Sequence, residues 1–203
     1  HAAASWEEDP SSLLKTKEDL AKANMVLITL VFLEDHISAI LPDLKKAREK
    51  CDLMLGLVSS KEIVNLTKMG GLDMSKPSSG VLKFLKKLRG DKNKVTGGEK
   101  QMAILRQIPK VLKFIPGKAQ DLRAYFLSMQ YWLAGSEENI ESLFCYLLSR
   151  YSSLHNSSKV EIKSPVEYPE TGLYHPDIPK KITENISEIP FANHSLGLSL
   201  IHI

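Results

Sequence analysis

The feature that most constrains the fold is a continuous apolar run, MVLITLVFL, at residues 25–33. It is far shorter than the roughly 20 apolar residues that span a membrane. An uninterrupted apolar run of this length is typical of a strand that is buried on both faces, as in a parallel sheet. In the segment LEDHISAILPDLKKAREKC that follows, apolar residues at positions 33, 37, 40, 41 and 44 have the spacing of one helix face. Pro42 is predicted to kink or restart this helix.

A second strand and helix are predicted directly afterwards. CDLMLGLVS at residues 51–59 has the composition of a buried strand, and SKEIVNLTKMG at residues 60–70 predicts a helix that Gly70 ends. Alternating strands and helices imply a parallel sheet with a right-handed crossover. The sequence therefore predicts an α/β fold that begins with a parallel βαβα (Rossmann-like) unit over residues 1–75.

The chain changes character after this unit. Residues 76–152 are predicted to form a mainly helical, basic insertion that includes VLKFLKKLRG, EKQMAILRQIPKVLKFI, KAQDLRAYFLSMQYWLAG and SEENIESLFCYLLSRY, the last with Ser136 as N-cap. Residues 153–195 contain repeated prolines and predict an extended connector. Residues 196–203 have the pattern of a strand that opens a further domain. Neither end is typical of a natural terminus, and we expect a fragment of a longer protein.

Positive charge is concentrated in the helical region. Residues 81–123 hold twelve Lys or Arg and three acidic residues, whereas the net charge of the whole chain is only +3. Such a segment can bind an anionic partner, for example nucleic acid, an acidic protein surface or a carboxylate ligand. It can equally consist of solvated helix faces. The sequence leaves both interpretations open.

Aromatic residues are concentrated in one predicted helix, at residues 118–135. One face of that helix carries an apolar stripe formed by Leu122, Phe126, Met129 and Leu133. Tyr125 and Trp132 fall on a neighbouring face, so the pattern favours core packing over a slot for a flat cofactor. Arg123, with the lysines at positions 113 and 118, could form a cationic rim for a planar dicarboxylic ligand.

No catalytic or metal-binding motif is found. The six histidines have no HExxH or HxH spacing. His36 lies beside Glu34 and Asp35, but neighbours along a helix point apart, which argues against a metal site there. The phosphate-binding patterns GxGxxG and GxxxxGK[ST] and the nucleophile elbow GxSxG are absent. Cys51 and Cys145 have no CxxC partner and are predicted to be reduced thiols of a cytosolic or stromal protein.

Long collinear stretches resemble one known family. The segment DLAKANMVLITLVFLEDHISAILPDLKKAREKCDLMLGLVSSKEIVNLTKMGGLDM, then KQMAILRQIPKVLKFIPGKAQDLRAYFLSMQYWLAGSEENIESL, then PVEYPETGLYHPDIP are similar to the N-terminal region of the large H subunit of magnesium chelatase. The chain thereby resembles the magnesium/cobalt chelatase large-subunit family. The resemblance implies that the family's first strand and helix precede residue 1, so that the α/β unit here lacks its first strand.

The resemblance also implies a function. Proteins of this family bind protoporphyrin IX and insert Mg²⁺ into it, while the partner I and D subunits hydrolyse ATP, in chlorophyll or bacteriochlorophyll biosynthesis. A chain of this kind is expected in the bacterial cytoplasm or the plastid stroma, without a transmembrane segment. A cobaltochelatase-type large subunit is the alternative within the family. A basic nucleic-acid-binding module is the alternative from another class.

Within the family, the present chain is expected to be a scaffold, lid or docking module that binds no cofactor by itself. No catalytic residue and no metal ligand can be assigned to it by the resemblance. The segment GLYHP at residues 172–176 is similar to a family signature at the junction to the chelatase body. Tyr174 and His175 are therefore expected either to position that junction or to contact porphyrin. Arg123, Tyr125 and Trp132 are the further candidates for porphyrin contact.

Overall fold

A computed structural model describes residues 1–76, 108–110, 112, 119–153, 162–166, 171–175, 178, 182–189 and 199–202 of the chain. The chain divides into two compact units, His1–Ser164 and Pro165–Ile203. The domain boundaries predicted from the sequence after residues 75, 152 and 195 stay predictions. Within the described ranges, every helix is too short or too polar to cross a membrane.

The first unit begins with two helices that lead into a strand. Helix α1 spans Ser5–Glu8 and α2 spans Pro10–Lys22. Asp9 caps α2 by accepting a hydrogen bond from the Ser11 N–H, and Pro10 occupies the first turn, where a missing N–H costs no hydrogen bond. Strand β1 spans Met25–Thr29.

The predicted strand–helix–strand unit is confirmed. Helix α3 spans Glu34–Lys50 and connects β1 to the parallel strand β2, Leu53–Leu57, in a register that pairs Met25 with Leu53. Strand β2 is buried at every position, as its apolar run predicts. Strand β1 is buried only at alternate positions, because it lies at one edge of the described sheet. Helix α3 runs unbroken through Pro42, so the sequence-based expectation of a restart is wrong.

The predicted helix at residues 60–70 is wrong. Helix α4 spans only Lys61–Val64, after which the chain forms β3, Lys68–Met69, and β4, Leu72–Asp73. Gly70 and Gly71 make a two-residue turn between these antiparallel strands, and Gly70 has a φ of +55°. A Gly-Gly pair favours this turn, because only glycine adopts positive φ at little cost. Since β3 is antiparallel to β2, the sheet is mixed, not wholly parallel as expected.

Helices cover both faces of this sheet. Helices α5, Ala119–Ala134, and α6, Glu137–Tyr151, confirm two predicted helices, and Ser136 caps α6 by accepting the Asn139 N–H. They share one core with Leu53, Leu55 and Leu57 of β2. The opposite face, which includes Met54, packs against α3 and the helices α1 and α2. The α/β class is confirmed, and α5 and α6 form one of its layers.

The second unit contains a small antiparallel sheet. Strand β5, Thr171–Tyr174, lies between β6, Ile182–Thr183, and β7, Ser199–His202. A short 3₁₀ helix spans Ile186–Glu188. Strand β7 confirms the predicted strand near residue 200. The predicted helix at residues 81–90 and most of the predicted helix at residues 99–115 lie outside the described residues.

Candidate functional site

The aromatic residues of α5 are packed in the core. Tyr125 is 5% exposed and Tyr131 is 1% exposed, and the ring of Tyr125 meets Phe126 edge-on at 5.6 Å between centroids. Burial raises the pKa of Tyr125 to about 12. The burial of Tyr125 and Phe126 agrees with the core packing that the sequence pattern favours. The buried stripe is rotated from the predicted one, however, because Tyr125 and Tyr131 are inside while Leu133 is exposed.

Arg123 holds two helical segments together. Its Nε donates a hydrogen bond to the backbone oxygen of Pro109 at 3.0 Å. The lysines at positions 113 and 118, which would complete the predicted cationic rim, lie outside the described residues. Trp132 is half-buried and packs against the core that α5 shares with the sheet. Of the predicted cationic rim, the structure therefore describes only Arg123, whose guanidinium bonds to a backbone oxygen.

Tyr131 and Tyr146 form a buried pair between α5 and α6, with ring centroids 6.4 Å apart. The Tyr131 hydroxyl donates to the backbone oxygen of Lys163 at 2.5 Å. The Tyr146 hydroxyl is buried and has no hydrogen-bond partner among the described residues. Burial raises the pKa of both hydroxyls. The sequence pattern does not indicate this pair, because the two tyrosines belong to different helices. Ala124, Ser128 and Tyr131 nevertheless have the spacing of one face of α5.

The pair permits a matched test of hydrogen bonding. We expect Tyr146→Phe to leave the free energy of unfolding unchanged or to raise it by up to about 1 kcal/mol, because it removes a buried polar atom that has no partner in the described part of the chain. Tyr131→Phe should lower it by about 1 kcal/mol, because the Lys163 carbonyl loses its donor. Urea denaturation of both variants measures the difference. Equal losses in the two variants would contradict the assignment of the partners.

The remaining predicted site residues lie in the second unit. Tyr174 is half-buried on β5 and is paired in register with Ile182 and Ser199. His175 is 8% exposed, and its backbone oxygen accepts the Ile178 N–H at 3.4 Å. Of the predicted residues, the structure therefore places Arg123, Tyr125 and Trp132 together on α5. Whether any of the five contacts porphyrin stays a prediction.

His36 has a different partner from its sequence neighbours. Its Nε2 lies 3.2 Å from Oε1 of Glu7, and its ring meets Trp6 edge-on at 5.8 Å between centroids. It thus fastens α1 to the start of α3. Across the described ranges, no group of three or more His, Cys, Asp or Glu side chains is arranged to hold a metal ion. Cys51 is buried, Cys145 is half-buried, and both are free thiols.

Two non-glycine residues at the carboxyl ends of β1 and β2 adopt a left-handed backbone. Leu30 has a φ of 59° and Val58 a φ of 44°. This conformation is rare for any side chain and especially for a β-branched one. The Leu30 N–H donates to the Val58 oxygen at 3.0 Å, and the Ser60 N–H donates to the Val31 oxygen at 2.9 Å. The two loops therefore hold each other in place.

A cavity of about 770 Å³ adjoins this edge of the sheet. Its walls include all of β1, the loop at residues 30–33, Trp6 and His36. In open α/β sheets, ligands bind in the crevice outside the carboxyl ends of the strands. Sequence reasoning missed this site because apolar loop residues carry no chemical motif. We regard the loop and cavity, with the aromatic helix α5, as the candidate functional regions of the first unit.

Comparison with known protein families shows to which family this chain belongs. A family model described as "Domain of unknown function (DUF3479)" matches residues 1–126, and one described as "CobN/Magnesium Chelatase" matches residues 129–195. The first match covers more than half of the chain, and the chain belongs to the DUF3479 family. The second match agrees with the resemblance to chelatase large subunits.

Individual relatives confirm that resemblance. The chain is 52% identical over 191 residues to the magnesium-chelatase H subunit of Cereibacter sphaeroides, and 51% identical to that of Rhodobacter capsulatus. Each alignment covers 94% of this chain and 16% of the relative. The chloroplastic magnesium-chelatase ChlH subunit of Oryza sativa subsp. japonica is 31% identical, over 79% of this chain and 12% of the relative. The chain thus spans about a sixth of the length of these two bacterial relatives.

Proposed function

We propose that this chain is part of the porphyrin-binding large subunit of a magnesium chelatase, in which it serves as a scaffold or docking module. The observation that carries the proposal is the 52% identity to a magnesium-chelatase H subunit over 94% of the chain. The parent protein would insert Mg²⁺ into protoporphyrin IX, with ATP hydrolysed by the I and D subunits, in the bacterial cytoplasm or the plastid stroma. Its product would enter chlorophyll or bacteriochlorophyll biosynthesis.

The packing of the first unit supports a scaffolding role. Metal insertion requires a base for the pyrrole protons and oxygen ligands that replace the waters of Mg²⁺. The described polar side chains of the first unit mainly join elements to one another: Arg123 bonds to Pro109, and Arg48 bonds to Leu66 and Asp73. These bonds fix the layers around the sheet. The chemistry is accordingly proposed for other parts of the large subunit.

A chimera tests the proposal directly. We expect the H subunit of C. sphaeroides to retain Mg²⁺ insertion, in the presence of its I and D subunits, when its matching segment is replaced by residues 1–195 of this chain. Product formation is followed by the fluorescence of the metallated porphyrin. The matched control carries Gly56→Val in the same chimera, which should lose activity because β2 has no room for a side chain at that position. A folded chimera without activity would contradict the proposal.

Porphyrin contact by Arg123, Tyr125, Trp132, Tyr174 or His175 is the finer part of this proposal. Titration with protoporphyrin, followed by tryptophan fluorescence with correction for porphyrin absorbance, tests it. Saturable quenching that disappears in Trp132→Phe would support contact at α5. Saturable quenching that persists in Trp132→Phe but disappears in Tyr174→Phe would support contact in the second unit.

Strand β1 lies at one edge of the described sheet, and this supports a further part of the proposal, namely that the α/β unit takes up an additional strand. The cavity borders β1 along its whole length, and an unpaired strand edge readily accepts another strand.

The cobaltochelatase alternative is less supported, since the three relatives from C. sphaeroides, R. capsulatus and O. sativa are all magnesium-chelatase subunits. The nucleic-acid-binding alternative is not favoured by these relatives either.

A further inference from the structure

An exposed apolar surface lies on the loop between β1 and α3. Leu30, Phe32 and Leu33 are 60%, 57% and 59% exposed, respectively. All three residues line the cavity. Single exposed apolar residues are ordinary on protein surfaces, but a group of large ones beside a concave site marks an interaction surface. We call these residues the β1–α3 loop patch.

The backbone of the patch is held in place. Leu30 adopts the left-handed conformation, which is unfavourable for a residue with a side chain. Its N–H bonds to Val58, the Val31 N–H bonds to Ser59 Oγ at 3.2 Å, and the Val31 oxygen accepts the Ser60 N–H. A fixed loop loses little conformational entropy when it binds, and this favours affinity.

The charged residues nearest the patch along its own segment are acidic, although the exposed Lys61 follows Ser60, whose N–H bonds to the Val31 oxygen. Residues 1–14 and 23–44 contain no Lys or Arg. The exposed acids Glu34 and Asp35 follow Leu33 directly, and Glu7 reaches the same end of α3 through its contact with His36 at 3.2 Å. An apolar surface with such an acidic rim is complementary to a segment that is both apolar and cationic.

We propose that the β1–α3 loop patch is a docking site for a cationic amphipathic helix of a partner protein. Apolar side chains of that helix contact Leu30, Phe32 and Leu33, and its Lys or Arg side chains face Glu7, Glu34 and Asp35. The same acidic rim repels nucleic acid and anionic lipid. It also opposes pairing of the patch with the identical patch of a second copy, because the acids would then face each other.

A synthetic helical peptide of leucine and lysine provides the probe. We expect it, when labelled with a neutral rhodamine dye, to bind the full chain saturably in a fluorescence anisotropy titration. The Phe32→Ser/Leu33→Ser variant should weaken binding at least about tenfold, since it removes most of the apolar contact. The Glu34→Gln/Asp35→Asn variant should weaken it several-fold at low salt and much less at about 0.5 M salt, where exposed charges are screened.

Two controls make the test specific. Phe144→Ser removes an exposed aromatic side chain from α6, outside the patch, and should leave the dissociation constant within about twofold. A peptide with glutamate in place of lysine should not bind. Circular dichroism melts verify that the serine variants stay folded, as expected for substitutions of exposed residues.

Several results would overturn the proposal. These are the absence of saturable binding, equal binding of the leucine–glutamate peptide, or unchanged affinity in Phe32→Ser/Leu33→Ser. Sedimentation of the chain with phosphatidylglycerol vesicles, if it depended on Phe32 and Leu33, would assign the patch to a membrane instead. A dimer in analytical ultracentrifugation that this variant abolished would assign it to a second copy.

Discussion

The substitution Gly56→Ala is expected to lower the free energy of unfolding by about 3 kcal/mol, at the upper end of the usual cost of overpacking a core. Gly56 lies in the middle of β2, which is buried throughout. A Cβ added there would stand 2.7 Å from the backbone oxygen of Ile63 and 3.1 Å from the Cα of Val64. Because these are backbone atoms of α4 and not the end of a flexible side chain, α4 itself must move. Urea denaturation followed by circular dichroism measures the loss.

Gly135→Ala is the matched control for this prediction. Gly135 has a φ of +66°, and among the described residues its added Cβ would meet only the Trp132 oxygen at 3.9 Å. The expected loss is about 1 kcal/mol, which comes from the left-handed backbone and not from crowding. If Gly56→Ala cost no more than Gly135→Ala, the close packing of α4 on β2 would be contradicted. A domain of ordinary stability has only about 5–15 kcal/mol to lose, and a larger residue at position 56 should prevent folding.

The sequence predicted those parts of the fold that depend on long periodic patterns. The apolar runs at β1 and β2 and the helical spacing in α3, α5 and α6 all led to the observed elements. The helix predicted at residues 60–70 was wrong because the segment NLTKMGGLD, residues 65–73, was interpreted by its apolar spacing alone. The Gly70-Gly71 pair is a hairpin signal, and the β-branched Thr67 favours extended backbone. Its hydroxyl oxygen accepts the Gly56 N–H at 3.1 Å, a tertiary contact that the local sequence does not reveal.

The candidate site was less predictable than the fold. Helical spacing indicated which helix would carry the aromatic core, but the packing partners decided its rotation and turned Tyr125 and Tyr131 inward. The left-handed conformations of Leu30 and Val58 have no sequence signal, because neither residue favours them. They result from the contact between two neighbouring loops. The family resemblance agrees with the relatives that the chain matches, whereas the contribution of Glu7 to the acidic rim of the β1–α3 loop patch became visible only once α1 was placed beside α3.

Asp121 joins the helical layer to the β3–β4 hairpin. Its carboxylate accepts the Gly71 N–H at 2.8 Å and the Tyr151 hydroxyl at 2.7 Å, and it lies 3.6 Å from the Arg150 guanidinium. Tyr151 also accepts a hydrogen bond from Arg150 Nε. Burial, together with the bond to Asp121, raises the pKa of the Tyr151 hydroxyl. A single side chain of α5 thus fixes both the turn of the hairpin and the end of α6.

We expect Asp121→Ala to lower the free energy of unfolding by about 3 kcal/mol, because the Tyr151 hydroxyl and the Gly71 N–H lose their acceptor and the Arg150 guanidinium loses its acidic partner. Asp121→Asn, which keeps the shape and one acceptor oxygen, should cost about half as much. Asp43→Ala is the matched control: its carboxylate makes a partly exposed ion pair with Lys17 at 3.5 Å, and such pairs contribute at most about 1 kcal/mol.

A double-mutant cycle with Gly70 separates the hydrogen bonds of Asp121 from the space that its carboxylate occupies. A Cβ added at Gly70 would lie 2.7 Å from Asp121 Oδ2, and the φ of +55° strains any side chain there. Gly70→Ala should therefore cost about 2 kcal/mol or more with Asp121 present, but only the backbone strain of roughly 1–2 kcal/mol in the Asp121→Ala background. The combined loss should be smaller than the sum of the single losses. Strict additivity would mean that the hairpin and α5 do not share this contact in solution.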